Sequence, residues 1–71
     1  MSLNETEFVV FCIEELAIEY NKSGRDIYQI LSINTNMIEE YIIPNYEVLH
    51  SMGRDAIIQE LKDLLKERGV V

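Results

Sequence analysis

The sequence predicts an all-α protein: a single domain over residues 1–71, folded as a small bundle of four main helices with a short helical turn before the last helix. Apolar residues recur with the 3.6-residue period of an α-helix in four segments. Short polar breaks that contain Gly, Pro, Asn and Ser separate these segments. No segment is a good strand candidate. The 71 residues suit one domain, and 48% hydrophobic residues are enough for a core.

The first helix is expected from about Glu5 to Tyr20, with Asn4 as its N-cap. At about 100° per residue, one side of this helix is predicted to be the core face. The glutamate pair at 14–15 is expected to be solvated. The core face should hold Val9, Cys12, Ile13, Leu16 and Tyr20.

Phe11 and Ile18 lie seven residues apart among the glutamates of the first helix. Two interpretations are open: another helix of the same chain covers them, or they form an exposed apolar strip beside Glu14. A strip of this kind would serve dimerisation or partner binding. The flanking glutamates oppose parallel self-pairing, so an interface here predicts an offset antiparallel dimer or a basic partner.

Local signals predict the next two helices. Ser23, with Asp26 three residues later, is expected to cap the second helix, and Thr35 or Asn34 the third. Pro44 disfavours helical geometry in the residue before it and should end the third helix. Both helices have an apolar inner face, composed of Ile27, Ile30, Leu31, Met37, Ile38, Tyr41 and Ile42.

The stretch "IIPNYEVLHSMG" contains the chain's single proline and single histidine. We interpret it as a hinge in which Asn45 caps a short helical turn. Tyr46 and Leu49, three residues apart, should then face the core. His50 ends the turn, where a histidine ring can hydrogen-bond free carbonyl groups. The alternative is a functional site centred on His50.

The last helix is expected from about Arg54 to Arg68, with Gly69 as its C-terminal stop. Asp55 near its start and Lys66 near its end suit the helix dipole. Its apolar stripe consists of Ile57, Ile58, Leu61, Leu64 and Leu65.

The charge balance limits the partners that we expect. Thirteen acidic residues against six basic ones give a net charge of −7, and the basic residues are scattered. Nucleic-acid affinity depends on Lys and Arg, so we expect no direct binding to DNA or RNA and none to anionic membranes. A basic protein partner is compatible with this charge. No run of 18 apolar residues and no basic, apolar leader is present, so we expect a cytoplasmic protein.

The sequence predicts no enzyme, no cofactor and no metal site. Metal binding and Cys–His catalysis both need several converging side chains, and the chain has one His and one Cys. Cys12 falls on the predicted core face. The function that we expect is that of an acidic, non-catalytic protein-interaction module that can act as a homodimer. The alternative is a small regulator that acts on nucleic acid directly or through a partner.

Three stretches, "TEFVVFCIEELA", "IYQIL" and "NYEVLHSMG", resemble a family of short bacterial proteins catalogued only as a domain of unknown function. The most specific part is the run with Tyr46, Glu47, Leu49 and His50. The resemblance implies a small helical domain without known catalysis, with Tyr46 and His50 as a family-motif site. Some members look like neighbours of toxin-type genes, which implies an antitoxin- or immunity-like role.

Overall fold

The computed structural model describes residues 3–70, and all regular elements within that range are helical. Four α-helices occur: α1 (Leu3–Tyr20), α2 (Gly24–Gln29), α3 (Tyr46–Leu49) and α4 (Arg54–Glu67). Two π-helical segments lie between α2 and α3. They are π1 (Ile30–Asn34), which continues α2 directly, and π2 (Ile38–Ile42).

The all-helical prediction is confirmed, but the expected number and kind of main helices are not. The third helix is π2, and the second helix changes from α to π at Ile30. Hydroxyl side chains compete here with backbone N–H groups for the carbonyl groups of the helix. Ser32 Oγ donates to Tyr28 O, and Thr35 Oγ1 donates to Ile30 O at 2.7 Å. Hydroxyl groups therefore occupy carbonyls at both sides of the change.

Local signals end and begin most of the helices as expected. Ser23 Oγ accepts from Asp26 N at 3.0 Å and caps α2. Thr35 Oγ1 accepts from Met37 N at 3.3 Å, but the N-cap of π2 is Met37, without a capping side chain, so neither Thr35 nor Asn34 is the N-cap of the third helix. After α4, Gly69 has φ +73°, a backbone conformation that glycine adopts without strain. Its N–H bonds Lys66 O, and Val70 N–H bonds Leu65 O, which together form a Schellman motif.

Two other predicted caps are also wrong. The first helix begins at Leu3, so Asn4 is already helical and does not have the extended backbone of an N-cap. Asn45 does precede α3, but its side chain makes no capping bond there. Instead Asn45 Nδ2 donates to Tyr41 O at 2.8 Å, a carbonyl at the end of π2 that also accepts from Asn45 N–H at 3.1 Å.

The core lies where α1, α2, π1, π2 and α4 meet. The Cα radius of gyration of the chain is 11.0 Å, and about 11 Å is expected for a compact chain of this length. The predicted inner faces supply the buried side chains, although Ile13, Tyr20, Ile30, Tyr41 and Leu64 are only partly buried. The buried cluster consists of Val9, Cys12, Leu16, Ile27, Leu31, Met37, Ile38, Ile42, Ile57, Ile58, Leu61 and Leu65.

No helix within residues 3–70 is both long and apolar enough to cross a membrane.

Candidate functional site

Tyr46 and His50 of the family-motif run lie together in the structure. They are four residues apart at the two ends of α3, so one helical turn brings them to the same side. Their rings stack with centroids 4.5 Å apart and an interplanar angle of 9°. The motif therefore forms one contiguous aromatic surface.

The hydrogen bonds of His50 define the tautomer of its ring. Nδ1 lies 3.0 Å from Tyr46 O and 3.0 Å from Glu47 O. Both partners are carbonyl oxygens, which only accept, so Nδ1 carries the proton and donates. In the neutral ring Nε2 is then the acceptor. The ring thus hydrogen-bonds carbonyl groups of α3, as the hinge interpretation expects.

The aromatic surface continues from α3 onto α1. Tyr46 packs edge-on against Phe8, with centroids 5.5 Å apart at 78°. Phe8 in turn stacks on Phe11, at 6.0 Å and 24°. Phe11 is therefore half-buried against its own chain, next to the core. Four rings thus join α1 to α3 in the order Phe11, Phe8, Tyr46, His50.

Ile18 has a different environment from Phe11. Its side chain is 71% exposed. Leu3 and Val10, which are 73% and 45% exposed, lie on the same side of α1. The structure thus separates the two residues that sequence reasoning had paired, covering Phe11 and leaving Ile18 exposed.

The exposed side of α1 has a regular composition. Residues 3, 7, 10, 14 and 18 follow one another at steps of three or four, so they form one stripe along the helix. In order they are Leu3, Glu7, Val10, Glu14 and Ile18, and all five are exposed. We call this stripe the outer α1 face. The spacing of Leu3, Val10 and Ile18 is the sequence signal for this face, and Phe11 does not belong to it.

Glu15 is not part of that solvated surface, contrary to expectation. Arg54 at the start of α4 contacts it at two points, Nε to Oε1 at 3.0 Å and Nη2 to Oε2 at 3.2 Å. One turn later in α1, Glu19 Oε1 accepts from Lys62 Nζ at 3.1 Å. Ion pairs therefore join α1 to α4. The bond to Glu15 is also the main cause that raises the pKa of Arg54.

Cys12 is fully buried in the core. Burial raises the pKa of its thiol from 9.0 to about 12. The thiolate is the nucleophilic form, so this thiol stays protonated and unreactive at neutral pH. Within residues 3–70, no three His, Cys, Asp or Glu side chains lie close enough together to hold a metal ion.

Sequence comparison agrees with the expected family. The model of a family described as "Protein of unknown function (DUF3791)" matches residues 7–68. Comparison with curated proteins and with solved structures finds no match. The matched range covers most of the chain and includes both α1, except its first residues, and the Tyr46–His50 pair. The chain therefore belongs to the DUF3791 family.

Proposed function

We propose that this chain is a non-catalytic protein-interaction module, and that its outer α1 face binds a basic, amphipathic helix of a partner protein. The observation that carries the proposal is the alternation of exposed apolar and acidic side chains along that face. Large apolar side chains at Leu3, Val10 and Ile18 supply surface to bury. Glu7 and Glu14 between them supply the charge that selects a basic partner.

The two glutamates are available for such a partner. No ion pair among the described residues involves Glu7 or Glu14. The chain also has no basic residue before Lys22, so α1 contains none. A partner helix with lysine or arginine opposite each glutamate would gain complementary charges at both positions.

A second copy of this chain fits the outer α1 face less well. Parallel pairing in register sets Glu7 opposite Glu7 and Glu14 opposite Glu14. Antiparallel pairing centred between residues 10 and 11 sets Glu7 opposite Glu14. Like charges meet in both arrangements, and like charges directly opposite each other disfavour association. An offset pairing avoids this repulsion but shortens the shared apolar surface.

Holding a basic partner in this way would suit the antitoxin- or immunity-like role that the family resemblance implies. A small acidic domain that covers a basic helix blocks whatever that helix contacts. Charge complementarity of this kind also accelerates association.

The test uses two synthetic helical peptides with leucine and a charged residue at alternate contact positions. One peptide has lysine and the other glutamate at the charged positions. Isothermal titration calorimetry should show that the parent protein binds the lysine peptide and does not bind the glutamate peptide. Glu14→Lys and Ile18→Ser should each weaken binding. Glu67→Lys, which makes the same charge change at an exposed position of α4, should weaken it much less.

Three results would contradict the proposal. Equal losses for Glu14→Lys and Glu67→Lys would mean that only the net charge attracts the peptide. A stable dimer of the parent in sedimentation, dissociated by Ile18→Ser, would assign the face to self-association. Tighter binding of a DNA duplex than of the lysine peptide would favour the regulator that acts on nucleic acid.

A further inference from the structure

A cleft lies between the end of α1 and residues 59–66 of α4, away from the outer α1 face. Its volume is about 640 Å³, within the range of small-molecule sites. Gln59, Lys62, Asp63 and Lys66 of α4 line one side at helical spacing. Tyr20, Lys22 and Val70 complete the lining.

The end of α1 brings Lys22 to this cleft. Asn21 has φ +53°, a left-handed conformation that asparagine tolerates. Lys22 N–H then bonds Ala17 O at 3.0 Å, and Asn21 N–H bonds Ile18 O at 3.3 Å. This is a Schellman motif, which ends the helix and leads the chain past α4.

The cleft concentrates positive charge in an acidic protein. It contains three of the chain's six basic residues, whereas the net charge of the chain is −7. Lys62 pairs with Glu19, and Asp63 accepts a hydrogen bond from Gln59 Nε2 at 2.9 Å. Lys22 and Lys66 form no ion pair among the described residues. Two ammonium groups in the cleft are thus available to a ligand.

The other basic residues have different roles or positions. Arg54 is occupied by Glu15 and Asp55. Arg68 Nη1 donates to Thr35 O at 3.0 Å. Arg25 lies in α2, outside the cleft lining. Among the described residues, Lys22 and Lys66 are the two cations without an acidic partner that line this cleft.

We propose that this cleft binds a small organic polyanion that bears two or more phosphate or carboxylate charges. Lys22 and Lys66 contact the charged groups, and Lys62 adds to the field while it remains paired with Glu19. The ring of Tyr20 and the side chain of Val70 provide apolar surface for the uncharged part of the ligand. The volume of the cleft, about 640 Å³, suits a small molecule.

The test titrates the ¹⁵N-labelled protein with ATP, citrate and inorganic pyrophosphate and follows amide shifts by NMR. ATP or citrate should bind and shift the amides of Lys22 and Lys66. A stronger response to ATP would indicate phosphate as the source of the charge, and a stronger response to citrate would indicate carboxylate. Lys22→Gln and Lys66→Gln should each weaken binding about fivefold, as expected for a partly exposed charge pair.

Arg25→Gln is the matched control, because it removes one exposed positive charge outside the cleft. It should leave the dissociation constant nearly unchanged. Failure of all three anions to bind at millimolar concentration would overturn the proposal. So would an equal loss in Arg25→Gln and the two lysine variants. Pyrophosphate binding as tightly as both organic anions would refute the role of the apolar surface.

Discussion

The guanidinium of Arg54 holds the carboxylate of Glu15 at two points, with Nε 3.0 Å from Oε1 and Nη2 3.2 Å from Oε2. The two residues are 39 positions apart. Their contact ties the second half of α1 to the first turn of α4. Two-point contacts of this kind combine charge with a defined geometry.

We expect Glu15→Gln to melt at a lower temperature than Glu14→Gln. Both substitutions remove one negative charge from an acidic chain, but only Glu15 has a cationic partner. Comparing the two variants therefore cancels the general effect of net charge. Circular-dichroism melts should show the difference at low salt and lose most of it near 1 M NaCl, where the screening length falls to about 3 Å. Equal melting temperatures at low salt would show that the pair contributes nothing.

Substitutions of Leu16 and Leu61 test the assignment of the core. Both side chains are fully buried, so Leu16→Ala or Leu61→Ala should lower the free energy of unfolding by about 2–5 kcal/mol. Leu3→Ala makes the same chemical change at a 73% exposed position and should cost about 0.5 kcal/mol or less. Urea denaturation of the three variants measures these differences. A similar cost at all three positions would contradict the assignment of the core.

His50 should prove to be a structural residue. Long-range ¹H–¹⁵N NMR correlations of the neutral ring are expected to show Nδ1 protonated, since it donates to two carbonyl groups. His50→Gln should keep the fold and lower the free energy of unfolding by about 1 kcal/mol or less, the scale of one hydrogen bond. A proton on Nε2, or a loss of several kcal/mol, would be inconsistent with the hinge.

The free energy of unfolding at alkaline pH should depend on the titration of the buried thiol. The pKa of Cys12 is raised from 9.0 to about 12, so above pH 9 the unfolded chain loses this proton while the folded chain keeps it. Its contribution is complete below pH 9 and is lost progressively between pH 9 and about 12. The slope approaches about 1.4 kcal/mol per pH unit for one proton.

Cys12→Ala removes that titration and is the control for it. Burial also raises the pKa values of Tyr20 and Tyr41, but both tyrosines remain in the variant. The difference between parent and variant therefore isolates the thiol. We expect urea melts at several pH values to show a difference that changes only above pH 9. A thiol reagent should also label the native parent slowly, and rapid labelling at neutral pH would refute the buried assignment.

Features that depend on neighbouring residues could be predicted from the sequence. Ser23 caps α2, Gly69 ends α4 and His50 closes α3, each through hydrogen bonds that span three to five residues. The apolar faces of the helices could also be predicted, because the helical period alone determines the direction of each side chain around the helix axis. The family-motif pair at Tyr46 and His50 follows from the same local geometry.

Only the tertiary structure decided which apolar and charged side chains remain exposed. Phe11 and Ile18 have equivalent positions on an isolated helix, but Phe11 packs against the buried core, whereas Ile18 is 71% exposed. Likewise Arg54 at the start of α4 reaches Glu15, whereas no described cation pairs with Glu14. The lysine-lined cleft joins residues from two distant segments. The physical reason is common to all three: the contacts join residues far apart in sequence, so the packing of the whole chain determines them and no local pattern contains them.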